Sequence, residues 1–337
     1  MNYTVDTKKY TAGRTTVMGI AAILITWFHS TVVTAPGSVF GMIKMVSDIG
    51  VDMFLFASGV GLYFAVNKYN RYAAYLTARF RKVLVPYLLV SLVWGAYRYL
   101  AWGLGPVEIL KNITLVDFWM EGNLSSWYIA VILALYLVTP VFVDLWKRHS
   151  WVGPVAFGAA IAGAVLVQYI PRWLHLEIFL FRVPVYLAGL WFGRAVFEER
   201  NVRLPVAATV LLLLAGGITV LSCHGYLPFV LPWGYKYLGY APLAIGLSLL
   251  AAEIPHNAVT GFFGKRSLEL YLVFEKVLEV FANNPRMEVI MGPTALVFNG
   301  VVLAVTLVCV ELLRFACTLT QKGKVFHRNV DNPSETK

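Results

Sequence analysis

The stretch Arg14-Thr-Thr-Val-Met-Gly-Ile-Ala-Ala-Ile-Leu-Ile-Thr-Trp-Phe-His29 is mainly apolar, starts with an arginine and ends with a histidine. Together with its apolar continuation it reaches the roughly 20 residues that a helix needs to cross the core of a bilayer. An ionisable side chain inside such a helix is costly and is kept mostly for function. The stretch therefore predicts a membrane-spanning helix and makes His29 a candidate functional residue.

The composition of the whole chain predicts the same environment. Of its 337 residues, 59% are hydrophobic and only 14% are charged, as in proteins that are mostly immersed in lipid. The net charge of +10 does not indicate nucleic-acid binding, because the basic residues recur in short clusters between apolar segments. Cys223, Cys309 and Cys317 show neither a disulfide framework nor the spacing of metal ligands. We therefore expect neither a nucleic-acid partner nor a bound metal.

Ten segments of the chain are long and apolar enough to span a membrane. They lie at approximately 15–35, 46–66, 83–102, 125–146, 151–170, 176–196, 204–223, 236–253, 266–283 and 291–316. With a cytoplasmic amino terminus, the cytoplasmic side carries 20 of the 28 lysine and arginine residues and the opposite side carries five. The sequence thus predicts an all-α, polytopic integral membrane protein with about ten transmembrane helices and both termini in the cytoplasm. The predicted parts are a cytoplasmic segment, 1–14, a transmembrane domain, 15–317, and a cytoplasmic tail, 318–337.

Five ionisable residues of the predicted helices are expected to lie at a similar depth in the bilayer. With a rise of about 1.5 Å per residue, His29 lies roughly 21 Å from the cytoplasmic edge of a core about 30 Å thick. The same measure puts Asp52, Arg98, Arg182 and Glu279 at depths of roughly 20 to 24 Å. A histidine beside a carboxylate can act as a general base while arginines hold polar or anionic groups, which suits acyl transfer to a hydroxyl. The same charges could instead form the ion relay of a secondary transporter, so the residues alone leave both classes open.

Local sequence motifs favour acyl transfer over transport. The stretch Gly50-Val-Asp52-Met-Phe-Leu-Phe-Ala-Ser58-Gly59 is similar to Gly-Val-Asp-Leu-Phe-Phe-Val-Leu-Ser-Gly, a signature of the membrane-bound acyltransferase 3 family. The segment Met18–His29 resembles the first helix of that family, which ends in its histidine. Arg79-Phe-Arg81-Lys-Val-Leu-Val-Pro86-Tyr87 resembles the basic turn and the proline that open its third helix. Weaker landmarks follow in the family's order at Ser126-Trp127-Tyr128, Arg182-Val-Pro184 and Ser267-Leu-Glu-Leu-Tyr271-Leu, so that the resemblance covers nearly all of the chain.

The resemblance implies an enzyme that takes an acyl group, usually acetyl, from acyl-CoA on the cytoplasmic side and passes it to a hydroxyl at or across the membrane. Members of the family include O-acetyltransferases of bacterial surface and secreted glycans. This implies a multi-pass protein of the bacterial cytoplasmic membrane, surrounded by lipid, with a glycan or lipid-linked sugar as acceptor. The resemblance leaves peptidoglycan, capsule and antibiotics open as acceptors too, and it does not fix an oligomeric state.

In this interpretation His29 is the general base or the transient carrier of the acyl group, and Asp52 assists it. The candidate substrate-binding residues are Arg14, Arg79, Arg81, Arg182, Ser58, Trp127 and Arg98. Positive charges near the cytoplasmic ends of the first three helices could hold the phosphates of CoA.

Several of these residues also have plainer interpretations. Asp52 or Glu279 could form an internal ion pair with Arg182. Ser58 could serve close helix packing, and Trp127 could belong to the interfacial aromatic belt.

The chain departs from the family at two positions. Many relatives have a basic residue where Met18 stands and a histidine where Phe274 stands. Arg14, one helical turn before Met18, could supply the missing positive charge. A membrane component that has lost its chemistry is a third alternative beside the enzyme and the transporter.

The loop at about residues 103–124 is the longest external connection. It carries Glu108, Asp117 and Glu121 among apolar residues such as Phe118 and Trp119, which fits an amphipathic cover along the membrane surface over the acceptor entrance.

Overall fold

Helices make up every regular element of the computed structural model, which describes residues 7–32, 38–69, 71–170, 175–198, 206–232, 235–283 and 295–331. The helices are α1 (Thr7–His29), α2 (Val39–Val46), α3 (Gly50–Lys68), α4 (Tyr72–Trp102), α5 (Pro106–Ile113), α6 (Val116–Glu121), α7 (Trp127–Arg148), α8 (Val152–Leu166), α9 (Leu176–Phe197), α10 (Val206–Cys223), α11 (Tyr235–Glu253), α12 (Ala258–Lys265), α13 (Ser267–Ala282) and α14 (Ala295–Asp331). Short 3-10 turns at Ser47–Ile49, Leu124–Ser126 and Val167–Tyr169 adjoin α3, α7 and α8. Since no strand occurs in these residues, the predicted all-α class is confirmed for them.

Eight helical segments of the described chain are long and apolar enough to cross a membrane. They are Tyr10–His29, Val39–Lys68, Tyr72–Trp102, Leu124–Arg148, Val152–Tyr169, Leu176–Phe197, Val206–Cys223 and Ala295–Thr320. The predicted spans 236–253 and 266–283 coincide with α11 and α13. Both are helices, but they do not meet the length and hydropathy that define the eight segments. The first turn of α11 carries the polar Tyr235-Lys236-Tyr237, and α13 has only 16 residues. The count of ten spans and the cytoplasmic position of both termini stay predictions.

Helix boundaries differ from the predicted ones at both ends of the chain. α1 begins at Thr7, inside the predicted segment 1–14, and ends at His29. The continuation of the first span to about 35 is too long, because Ser30–Val32 are not helical. Two of these three residues are β-branched, which lowers helix propensity. At the other end, α14 passes the predicted boundary at 317 and continues to Asp331. Parts of the predicted segments at 1–6, 33–35, 204–205, 291–294 and 332–337 lie outside the described residues.

α3 lies at the centre of the bundle. In an 18-residue stretch within Val39–Lys68, which contains α3, 78% of the residues are buried inside the protein, against 11% in Val152–Tyr169. α3 packs most extensively against α9 and also contacts α1, α7 and α11. Side chains of α3 are therefore surrounded by protein, and Asp52 is fully buried.

The backbones of α3 and α9 approach each other closely at glycines. A Cβ on Gly59 would lie 2.5 Å from the carbonyl oxygen of Tyr186, and one on Gly189 would collide with the carbonyl oxygen of Phe56. Gly193, one turn after Gly189, faces α3 in the same way. Small residues spaced by four positions allow such close contact, which drives helix association in lipid, where the hydrophobic effect between helices is absent. The contact sets the distance between α3 and α9 and thus the position of the charges that they carry.

We predict that Gly189→Ala destabilises the protein, because the added methyl group forces α3 and α9 apart. Overpacking of this kind costs about 1 to 3 kcal/mol. Gly158→Ala in α8 is the matched control, since a Cβ at that position meets no atom within 4 Å. The midpoint of thermal unfolding in detergent, read from the loss of the monodisperse peak in size-exclusion chromatography, should fall for Gly189→Ala only. Equal midpoints for the two variants would contradict the close contact.

Candidate active site

His29 is the last residue of α1, and its ring approaches α13. The His29 Nδ1 lies 3.4 Å from the Glu275 Oε1, which is ion-pair distance when the imidazole is protonated. The Phe28 ring packs edge-on against the imidazole, with 5.0 Å between the ring centres. Lys44 donates hydrogen bonds to the carbonyl oxygen of Ser30, at 2.7 Å, and to that of the residue two positions further along the chain. These bonds fix the backbone that directly follows His29. The side chains of His29 and Glu275 are 33% and 38% exposed, so the pair is held by the protein yet can be reached.

The pair stands at one end of a cleft formed by α1, α3 and α13. The cleft is narrow, with room for only one or two water molecules, and extends from His29 and Glu275 to Ala22 and Ser267, with Phe54 of α3 in its wall. Since Ala22 precedes His29 by seven residues, the cleft follows α1 for roughly 10 Å. The imidazole therefore lines a narrow cleft between α1, α3 and α13.

The two departures from the family motifs lie in or near this cleft. Phe274, beside Glu275, is buried and lines the cleft itself. Met18 is partly buried and packs against the core. Four residues before Met18, Arg14 donates a hydrogen bond from its Nε to the carbonyl oxygen of Ala57 in α3, at 3.2 Å. Arg14 thus directs its positive charge into the bundle, and its role as the replacement for the missing basic residue stays a prediction.

Asp52 is paired with Arg182 of α9. The Arg182 Nη1 donates a hydrogen bond to the Asp52 Oδ2 at 2.8 Å, and the two side chains are 5% and 0% exposed. The guanidinium carbon of Arg182 also lies 5.4 Å from the centre of the Trp127 ring and 4.6 Å from that of Tyr237. Of the plainer alternatives, the internal ion pair with Asp52 is therefore the one present. Because the carboxylate at the histidine is that of Glu275, any assistance of Asp52 to catalysis is indirect.

A second acidic residue, Asp48, lies close to the site. The Asp48 Oδ2 is 3.2 Å from the Lys236 Nζ, and the Tyr240 hydroxyl donates a hydrogen bond to the Asp48 Oδ1 at 2.5 Å. Asp48 is near enough to His29 for the two charges to interact. Among the described residues, no group of three or more histidine, cysteine, aspartate or glutamate side chains could hold a metal ion.

Positive charges gather along the first halves of α1 and α4. Lys82 lies close enough to both Arg14 and Arg79 for their charges to interact, and Glu269 is the carboxylate that faces it. The Nε of Arg79 is buried and has no hydrogen-bond partner among the described residues. Arg81 is half-buried two residues after Arg79, on another face of α4. Three cations against one carboxylate leave a net positive charge, which suits a phosphate group.

Ser58 and Arg98 are the remaining candidates. Ser58 lies beside Tyr128 of α7. Arg98 lies near Lys276 and Glu279, close enough for their charges to interact. Lys276 interacts electrostatically with both His29 and Arg98, and Asp48 interacts with both His29 and Asp52. The residues of the predicted layer are therefore linked through charge interactions, and Glu275 is the carboxylate at ion-pair distance from His29.

Sequence reasoning assigned no catalytic role to Glu275, and it did not recognise Tyr271 and Lys276 as neighbours of the site. Tyr271 and Glu275 are four residues apart, so they share the face of α13 that lines the cleft. This spacing, directly after the weak landmark that ends at Leu272, is the signal in the sequence that points to Glu275.

A family model described as an acyltransferase domain, that of the acyltransferase 3 family, matches residues 18–312, which is more than half of the chain. No curated protein and no solved structure matches the chain significantly. The matched range contains every site residue discussed above except Arg14, and the resemblance inferred from the motifs is confirmed.

We predict that Asp52→Asn strongly lowers stability, because it leaves the buried Arg182 without its counter-charge. Breaking a buried ion pair in this way costs about 3 to 5 kcal/mol. The double substitution Asp52→Leu with Arg182→Met should recover part of the loss, since it removes both charges. The control is Asp144→Asn, which breaks the exposed pair with Arg148, at 2.9 Å, and should change the unfolding midpoint little. If Asp52→Asn and Asp144→Asn unfold at the same temperature in detergent, the pair between α3 and α9 is not formed as described.

Proposed function

Because the chain belongs to the acyltransferase 3 family, we propose that this membrane acyltransferase moves an acetyl group from acetyl-CoA to a hydroxyl of a glycan or lipid-linked sugar. The observation that supports the proposal most is the His29 and Glu275 pair at the end of a narrow cleft. An imidazole beside a carboxylate can serve as a general base, and the cleft is the side from which a thioester would reach it once the cleft widens.

In the proposed reaction Glu275 holds the Nδ1–H of His29, which leaves the Nε2 to accept a proton. The acceptor hydroxyl gives its proton to the Nε2 while its oxygen attacks the carbonyl carbon of the thioester. The C–O bond forms, the C–S bond breaks, and the imidazolium returns the proton to the departing CoA thiolate. Glu275 stabilises the imidazolium that exists between these steps.

A second route starts from the same geometry. The Nε2 of His29 attacks the thioester directly, CoA leaves as the thiolate, and the acetyl group rests on the histidine until the acceptor oxygen removes it. Both routes need the imidazole, and they differ in whether a labelled acetyl-enzyme accumulates when no acceptor is present.

We assign the phosphate end of the donor to Arg14, Arg79 and Lys82, with Arg81 at their border. The net positive charge of this region and the buried, unpaired Nε of Arg79 support the assignment. Arg14 precedes His29 by 15 residues, or roughly 22 Å along α1. The phosphates and the thioester of one acetyl-CoA molecule would then lie at the two ends of a path along this helix. With both termini in the cytoplasm, the phosphates are on the cytosolic side.

The same orientation puts His29 toward the outer side of the membrane, where a glycan or lipid-linked sugar is available. We therefore place the protein in the bacterial cytoplasmic membrane, as the family's known members suggest. The buried ion pair of Asp52 and Arg182 stabilises the outer part of the bundle near His29, and the Trp127 ring packs against the Arg182 guanidinium.

We predict that His29→Gln lowers acetyl transfer by at least about 10²- to 10⁴-fold, the usual contribution of a general base. Glu275→Gln should cause a smaller loss, because the imidazole remains but is no longer charge-stabilised. His149→Gln is the matched control, since His149 is an exposed histidine at the end of α7. The measurement is the release of free CoA, and the transfer of radiolabel to glycan, in membranes supplied with labelled acetyl-CoA.

Two outcomes would contradict the proposal. Normal transfer by His29→Gln would remove the histidine from the reaction. Uptake of a labelled solute into vesicles without any acyl donor, with no release of CoA, would favour the transporter alternative.

A further inference from the structure

A polar side chain, Asn299, interrupts the apolar start of α14. It stands in the stretch Ala295-Leu-Val-Phe-Asn-Gly-Val-Val-Leu303. None of the described residues of α14 lines the His29 cleft, so Asn299 does not contact the reacting groups from inside it. An amide in a membrane helix is costly unless hydrogen bonds satisfy it, and across helices such bonds join one helix to another. Asn299 therefore needs a partner, and the mechanism proposed above does not use it.

The partner of Asn299 is Thr31, two residues after His29. The backbone N–H of Thr31 donates to the Asn299 Oδ1 at 3.0 Å, and the Asn299 Nδ2 donates to the Thr31 Oγ1 at 2.7 Å. The Nδ2 also donates to the carbonyl oxygen of Ala295, one turn earlier in α14, at 2.7 Å. The acceptor and both N–H groups of the amide are thus used, which fixes its orientation on α14.

The same segment is held by a second helix. The Lys44 Nζ of α2 donates to the carbonyl oxygens of Ser30, at 2.7 Å, and of Val32, at 2.6 Å. Ser30–Val32 is not helical, so the hydrogen bonds of α1 do not hold it in place. The position of the chain directly after His29 is therefore set by contacts with α2 and α14.

α14 also holds the helix that carries Glu275. Phe298, next to Asn299, packs against Phe274 in a buried apolar cluster, and Phe274 directly precedes Glu275. Two adjacent residues of α14 thus reach both members of the candidate catalytic pair, one through the chain after His29 and the other through α13. The separation between the imidazole and the carboxylate depends on this common support.

We propose that Asn299 is a positioning residue of the acyl transfer, because its paired hydrogen bonds to Thr31 keep the end of α1 where the His29 imidazole meets Glu275. The proposal rests on the function proposed above. Helix ends open more easily than helix centres, and the last turn of α1 loses an outside contact when these bonds are removed. A displacement of about 1 Å can lower the rate of a reaction by about 100-fold, even when its cause lies away from the reacting atoms.

The test measures the release of free CoA from acetyl-CoA by native membranes that carry the full-length protein. Asn299→Leu keeps the approximate size of the side chain and removes both hydrogen bonds to Thr31. We expect kcat to fall by about 10- to 100-fold, while the KM for acetyl-CoA stays the same because the lining of the cleft is unchanged. Asn283→Leu is the matched control and should keep the wild-type kcat, since the Asn283 Nδ2 donates only to the carbonyl oxygen of Glu279 in its own helix, at 2.9 Å.

Two substitutions of Thr31 give a second reading, which also serves if Asn299→Leu is not monodisperse in detergent. Thr31→Val keeps the shape of the side chain and removes the hydroxyl acceptor, so kcat should fall, but less than in Asn299→Leu because the backbone N–H still donates. Thr31→Ser keeps the hydroxyl and, as the conservative variant, should restore the wild-type kcat.

A double-mutant cycle separates positioning from a general loss of structure. Combined with Glu275→Gln, Asn299→Leu should lower kcat by a smaller factor than it does alone, because both residues act on the same imidazole. A wild-type kcat in folded Asn299→Leu, a raised KM with unchanged kcat, or an undiminished factor in the Glu275→Gln background would overturn the positioning role and leave the acyltransferase proposal standing. Absence of CoA release by the unsubstituted protein would instead refute the proposed function.

Discussion

A charge inside a membrane protein is stable only when another charge or dipole compensates it, and the arrangement of this bundle follows from that constraint. The pair of Asp52 and Arg182 shows it most clearly, since both side chains are almost completely buried. The rings of Trp127 and Tyr237 surround the guanidinium, so that one ion pair joins α3, α9, α7 and α11. His29 and Glu275 form the opposite case. They are partly exposed at the end of a cleft.

α3 keeps these two kinds of pair apart. Asp52 points toward α9, whereas Phe54, two residues later, lines the cleft of α1 and α13. Two residues along a helix turn the side chain by about 200°, so one helix presents a structural charge on one side and a wall of the reactive cleft on the other. The close contact at Gly59 and Gly189 fixes this orientation, because it leaves α3 little room to rotate or slide against α9.

The sequence was sufficient for the features that lipid imposes directly and for those carried by local motifs. Hydropathy located the eight helical segments that are long and apolar enough to cross the membrane, and the motif at Gly50–Gly59 led to the correct family. It was not sufficient for the partner of His29. Depth along a helix gives one coordinate, and the same measure puts Glu275 at only about 14 Å, so that depth favoured Asp52 and Glu279 over the carboxylate that actually faces the histidine. The direction in which each side chain points depends on how the helices are rotated against each other. Backbone contacts at glycines determine this rotation, and hydropathy does not predict those contacts.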